Sequence, residues 1–259
     1  MAQAGEIASV GSAGQGLGIV VGTPAAAGWF ARLPPSIAPL LVVSHGDPGR
    51  ARTGARQLAS RGARAIISFG PAVGLAPLLR PGDLVIADCV VLPSGETLAT
   101  DRAWRSRLVS CLSPLNPNLK VARLAGCDRL PASAGEKRTA FQMTFAAALD
   151  SESHAIAEVA QAAHLPFLAL RAIADPAEQS RPRAAYRTRR DDPYAASMLL
   201  GLWRPWELPA LWRFARNGRS ALATLRRVAA LGPAALACGA DRDGGRACVP
   251  QSGRVDLQA

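Results

Sequence analysis

Residues 147–176 read AALDSESHAIAEVAQAAHLPFLALRAIADP, an apolar unit with a carboxylate near each end. Ile156, Val159, Ala160 and Ala163 recur at helical spacing. His164, Leu165 and Pro166 then end the pattern, and PFLALRAI follows as a continuous apolar run of strand length. About fourteen helical residues at ~1.5 Å and about seven strand residues at ~3.3 Å each cover roughly 20 Å, so the helix returns antiparallel along the strand that follows it. The N-terminus of the helix and the C-terminus of the strand then share one edge of a sheet, the edge on which open α/β proteins bind ligands. Glu152 and Asp175, 23 positions apart, are thereby predicted to face one cleft.

The same alternation runs upstream from Leu17. LGIVVG (17–22) and PLLVVS (39–44) are short apolar runs, the second followed by HGDPGR, a helical stretch from about 49 to 61, and a third run, ARAIISFG (63–70). Strand, helix, strand in this order implies a parallel pair with a right-handed crossover. Each strand ends in a glycine-containing loop near Gly22, Gly46 or Gly70, beside the edge of Glu152 and Asp175. LLRPGDLVIADCVV (78–91) adds a turn at 81–83 and a further strand. Residues 92–134, with scattered prolines and polar residues, are expected to hold part of the substrate pocket. The predicted fold is a three-layer α/β domain with a central, mostly parallel or mixed sheet over 17–185. A flexible leader (1–16) precedes it; an Arg- and Trp-rich helical basic appendage (186–236) and a disordered tail (237–259) follow.

A chain of 259 residues with 49% apolar content can bury a substantial core. No apolar run approaches the ~20 residues of a membrane-spanning helix. MAQAGEIASVGSAGQG has neither a basic nor an apolar signal region, so a cytoplasmic location is expected. Cysteines 89, 111, 127, 238 and 248 form no C-x-x-C pair and have no histidine cluster beside them; neither a metal site nor a disulfide framework is expected. The formal charge of +11 is concentrated: residues 181–230 hold eleven Arg against Asp191, Asp192 and Glu207, a net of +8.

ALDSESHAIAEVA and LPFLALRAIADPA resemble the nucleoside phosphorylase superfamily, whose pattern is a Met-Glu-Ser or Met-Glu-Ala helix start and an Arg-hydrophobic-Ser-Asp strand end. GARAIISFGPAVGLAPLLRPGDLVIAD is similar to the same superfamily's Gly-rich strand end. Within it, SESHA, ASAGEKRTAFQMT and RPWELPALWRFARNGRSALATLRR are closest to the hopanoid-associated branch. The resemblance covers roughly residues 17–232.

It implies that Asp175 is catalytic, protonating or hydrogen-bonding the purine N7 as the base leaves, and that Glu152 accepts hydrogen bonds from the ribose hydroxyls. Ser151, at the position of the family's Met, is implied to lie beside the ribose. Gly22, Gly46 and Gly70 are implied to bind phosphate or a nucleophilic water. One group must hold the ribose and another supply a proton, because N-glycosidic cleavage builds positive charge on the sugar and negative charge on the base. A helix N-terminus favours an ionised Glu152. Asp175 needs the opposite environment and holds a proton near neutral pH only when burial favours it. The acidic residue of hydrolytic members shortly after the first strand has no counterpart in GTPAAAGWF (22–30), which points to inorganic phosphate as co-substrate, with no other cofactor.

The implied activity is release of adenine from adenosylhopane, a lipid-linked nucleoside, by phosphorolysis. Rival readings are a nucleosidase or phosphorylase of soluble purine nucleosides such as methylthioadenosine, and a non-catalytic nucleoside- or lipid-binding relative. Leu208, Leu211, Trp212, Ala215, Leu222 and Leu225 fall near one helical face. That face reads either as packing against the core or another subunit of a homo-oligomer, or as peripheral contact with an anionic membrane surface on its inner face. No nucleic-acid partner is expected, since the arginines lack a recognition module.

Overall fold

In the computed structural model, residues 16–31, 33, 38–182 and 205–237 are described. The leader apart from Gly16, the stretch 183–204 and the tail from 238 lie outside them. The chain runs β1 (Leu17–Val21), α1 (Pro24–Phe30), β2 (Leu40–Val43), α2 (Pro48–Ser60), β3 (Ala65–Gly74), β4 (Leu84–Val91), β5 (Thr97–Ala99), α3 (Arg102–Leu112) and β6 (Lys120–Gly126). It continues through α4 (Ala134–Thr144), β7 (Ala148–Asp150), α5 (Ser153–Ala162) and β8 (Phe167–Asp175). After the undescribed stretch come a 3-10 turn (Pro205–Glu207), α6 (Leu208–Ala229) and α7 (Gly232–Leu236).

Eight strands form one mixed sheet. β2, β1, β3 and β8 are mutually parallel neighbours, β8 pairs antiparallel with β4, β4 pairs parallel with β6, β6 with β7, and β7 returns antiparallel to β3. The strands β3, β8, β4, β6 and β7 therefore close on themselves, with β1 and β2 extending the sheet from β3. β8 is buried at every position, the condition that makes PFLALRAI a continuous apolar run rather than an alternating one.

Three layers result, as the sequence predicts. α1, α3, α6 and α7 cover one face around Phe30, Trp104, Leu108 and Leu225. α2 and α5 cover the other with Ala55, Leu58, Ile156 and Ala160. Local chemistry places the helix starts: Asp47 accepts from Arg50 N at 2.8 Å ahead of Pro48, and Ser133 and Glu136 form a capping box on α4.

Residues 92–134 build β5, α3 and β6, with Trp104 fully buried in the core, and their stretch at Gly126 pairs beside Asp150. α6 packs on the core, one of the two readings of its apolar face. It buries Leu211, Phe214, Ala221, Leu225 and Val228 against the sheet, while Leu208 and Trp212, assigned to the same face from periodicity, are exposed. A bond from Trp104 Nε1 to the Leu236 carbonyl at 2.7 Å closes this layer.

Candidate active site

α5 begins at Ser153 with Glu152 just ahead of it, yet the side chain of neither Glu152 nor Ser151 caps it. Asp150 does, its Oδ1 accepting from the backbone N–H groups of Glu152 at 2.6 Å and Ser153 at 2.7 Å. The other oxygen of Asp150 receives Arg171 Nε at 2.9 Å. Ser151 is turned away and donates to the Gly46 carbonyl at 2.9 Å, so it holds the β2–α2 loop against α5.

Relieved of capping, Glu152 points inward and is 5% exposed. Its Oε1 accepts from Ser44 Oγ and, at 2.9 Å, from Gly46 N. His45 and Gly46 take left-handed conformations, φ 57° and 72°, and this turn aims the Gly46 N–H at the carboxylate. Oε2 faces Gly22, where a β-carbon would lie 3.3 Å away, and has Arg171 Nη2 at 3.7 Å. Burial pushes the Glu152 carboxyl above the usual range, opposed by Arg171, Ser44 and the Gly46 N–H. The direction reverses the expectation from the helix N-terminus, because desolvation of a wholly buried carboxylate outweighs an end-of-helix field.

Arg171 lies inside β8 and is 1% exposed. Its Nη2 donates to Ser68 Oγ at 2.5 Å and Ser153 Oγ at 2.9 Å, whereas Nη1 has no hydrogen-bond partner among the described residues. A β-carbon on Gly70 would stand 2.6 Å from Nη1, so only glycine leaves this N–H room. The three glycines have different surroundings: Gly22 and Gly70 leave space beside Glu152 and Arg171, and Gly46 gives its N–H to the Glu152 carboxyl.

Asp175 ends β8 and is 4% exposed. Between Ala72 and Val73 the pairing with β8 slips by one residue, so that Val73 meets Asp175 and Ala174 is skipped; such bulges re-aim side chains beside active sites. Instead of an apolar pocket, Asp175 meets two cations: Lys137 Nζ at 2.6 Å on Oδ1 and Arg181 Nη2 at 3.3 Å on Oδ2. Lys137, reaching from α4, is fully buried and also donates to the carbonyls of Pro176 at 2.8 Å and Gln179 at 2.6 Å. Burial pulls the Lys137 ammonium below its ordinary range, and Asp175 opposes the shift.

The structure brings Glu152 and Asp175 to one edge, as expected. β3 sets Phe69 level with both Val21 and Leu170. The group around Gly22, Glu152 and Arg171 therefore lies four strand residues before Asp175, about 13 Å at ~3.3 Å per residue. Asp150, Arg171, Lys137 and Arg181 were not predicted as site residues; a lone Arg inside PFLALRAI was the legible signal for one of them. Arg52 on α2 pairs with Glu158 on α5 at 2.5 Å. Cys127 reaches this edge, but burial pushes its thiol up to about 12, so it carries no thiolate at neutral pH. Among the described residues no group of three or more His, Cys, Asp or Glu could hold a metal ion, and no helix is long and apolar enough to cross a membrane.

Residues 36–193, more than half of the chain, match the family model described as the phosphorylase superfamily. Solved structures with the same fold include a futalosine hydrolase mutant of Helicobacter pylori strain 26695, 15% identical with a TM-score of 0.58 over 80% of this chain and 98% of that one. The 5'-methylthioadenosine/S-adenosylhomocysteine nucleosidase of S. pneumoniae, with a transition-state inhibitor, is 20% identical with a TM-score of 0.58 over 82% and 99%. The S-adenosylhomocysteine nucleosidase of Streptococcus pyogenes, in complex with 5-methylthiotubericidin, is 18% identical with a TM-score of 0.60 over 81% and 94%. The chain belongs to the phosphorylase superfamily, which places it among glycosyl-cleaving enzymes.

The Glu152 environment makes a stability prediction. The folded state holds this carboxyl's proton to higher pH than the unfolded chain does. Stability therefore falls as pH rises from the unfolded value through the folded one. Glu152→Gln keeps an acceptor for Ser44 and Gly46 and leaves Asp150 paired with Arg171. It is expected to melt about 2–4 °C above the parent at pH 7, the shift that ~1 kcal/mol gives a domain of this size, and at the parent's temperature in acid. An unchanged or lower melting temperature at pH 7 would mean that Arg171 and Ser44 outweigh the burial.

Proposed function

We propose that the protein cleaves the N-glycosidic bond of a purine nucleoside, with the ribose at Glu152 and the base at Asp175. The supporting observation is the pair of buried carboxylates on one edge, with different partners and a separation that a ribose and a bicyclic base can span. Glu152 Oε2, turned toward the space that Gly22 leaves, accepts from the ribose hydroxyls. Asp175 Oδ2, held among the described residues by the longer Arg181 contact, is offered to the base and, once it has taken up a proton from solvent, passes or shares that proton as negative charge develops. The Arg171 Nη1 group, buried without a hydrogen-bond partner among the described residues, beside Gly70 and near Glu152, is the donor for an anionic nucleophile.

We take inorganic phosphate as that nucleophile and adenosylhopane as the substrate. GTPAAAGWF has no acidic residue, and SESHA, ASAGEKRTAFQMT and the segment around α6 resemble the hopanoid-associated branch. The rival for the nucleophile is water, favoured by the hydrolase and nucleosidases among the similar structures. The rival for the substrate is a soluble nucleoside such as methylthioadenosine. Adenine release is measured from both substrates with and without phosphate. The expected outcome is release from adenosylhopane that rises with phosphate and yields a ribose 1-phosphate product. Phosphate-independent release would make the enzyme a hydrolase, release from methylthioadenosine alone would remove the lipid, and no release from either would leave a binding protein.

A further inference from the structure

Four of the nine large apolar side chains that are exposed among the described residues lie on segments bordering Asp175. Leu78 is 90% exposed, and Trp206, Leu208 and Trp212 are 72%, 41% and 51% exposed. Leu78 lies in the β3–β4 loop, which leaves the sheet at Gly74 against Pro176 and Ala177 and returns by a bond from Gly82 N to the Ile173 carbonyl at 2.8 Å. The same loop holds α6: Ser220 donates to the Pro81 carbonyl at 3.1 Å and Thr224 to that of Gly82 at 3.0 Å. Toward its N-terminus, α6 meets the segment after Asp175, with Asn217 donating to Gln179 at 2.9 Å and the Arg181 guanidinium 5.9 Å from the Phe214 ring. Trp206, Leu208 and Trp212 therefore sit at the end of the helix nearest the catalytic edge.

The charge on this helix has one sign. α6 carries five Arg and no acidic residue, all five on the exposed side, and Arg216 stacks over Trp212 at 5.0 Å. Two copies packed about a twofold axis through this surface would set arginines against arginines. Leu78 and Leu208 offer a nucleic acid neither a stacking ring nor a phosphate contact. A bilayer surface takes all three residue types, Trp and Leu at the headgroup boundary and Arg among anionic headgroups.

We infer that this rim, Leu78, Trp206, Leu208 and Trp212 bordered by the α6 arginines, docks the protein on an anionic lipid bilayer with the Asp175 edge toward the membrane. The docking is a property of the surface and is measured without a nucleoside; its use, presenting the cleft to a lipid-linked substrate, rests on the reading above. Failure to dock would leave glycosidic cleavage standing, and the loss of that activity would leave docking standing.

The test is co-sedimentation of the full chain with phosphatidylcholine vesicles that contain or lack phosphatidylglycerol. Binding is expected only with the anionic lipid and is released by salt. Trp206→Ala with Trp212→Ala, and separately Arg213→Ala with Arg216→Ala and Arg219→Ala, are each expected to cut partition at least about tenfold. These side chains are exposed, so melting temperatures should stay at the parent value. The inference is overturned by absent binding, by equal binding to neutral vesicles, by variants that bind like the parent, or by displacement with duplex DNA at stoichiometric amounts.

Discussion

Asp175→Asn is expected to remain folded with a lower melting temperature, because the buried Lys137 ammonium loses its counter-charge, and to lose about 10² to 10⁴ in turnover, the usual cost of removing a general acid. The amide oxygen still accepts from Lys137, which sits 2.6 Å from Oδ1, so the buried ammonium keeps an acceptor in each of its three directions. An amide hydrogen-bonds a departing base but transfers no proton to it. Adenine release and thermal melting of the same preparation check the two halves of the expectation. A near-parent rate with an intact fold would take Asp175 out of the proton path, while a collapsed melt would show that the carboxylate is there for the ion pair.

Lys137→Met should have the largest effect on stability. The ammonium is fully buried and pairs with a carboxylate that is 4% exposed. Removing one partner of such a pair typically costs about 3–5 kcal/mol, because the other charge is stranded. For a domain of this size that lowers the melting temperature by roughly 10 °C. Combining Lys137→Met with Asp175→Leu removes both charges and should recover most of the loss, since apolar replacement of a whole buried pair is often neutral. Additive losses in the double variant would mean that Lys137 acts through the carbonyls of Pro176 and Gln179 instead.

The α5–β8 unit was legible because its signals are local. Apolar periodicity changes from helical to continuous at Leu165, and the two lengths match, so the meeting of Glu152 with the Asp175 edge follows from chain geometry alone. The partners of those carboxylates were not legible, since each comes from elsewhere in the chain. Ser44 and Gly46 reach Glu152 across more than a hundred residues, and Lys137 stands in GEKRTA, where nothing marks it as buried. The cap was also misplaced. Three polar residues, Asp150, Ser151 and Glu152, precede the helix, and only the pairing of β7 with β6, which sets Asp150 opposite Gly126, decides that Asp150 does the capping. The face of α6 was misread at Leu208 and Trp212 because the buried stripe runs through Leu211, Phe214, Ala221, Leu225 and Val228, to one side of the stripe taken from periodicity.

The hydrogen bond from Trp104 to the Leu236 carbonyl spans 132 residues and bears on how the chain is made. α6 and α7 are the last of the described elements to emerge, yet they cover Leu84, Ile86 and Trp104 in the same cluster as β1 and β3. During synthesis, the part of this side of the sheet that α1 and α3 do not cover must wait until these helices arrive, a long-range closure of the kind that slows folding. A gene trimmed to the region that matches the family model would make that wait permanent, and its product should aggregate rather than reveal a minimal enzyme.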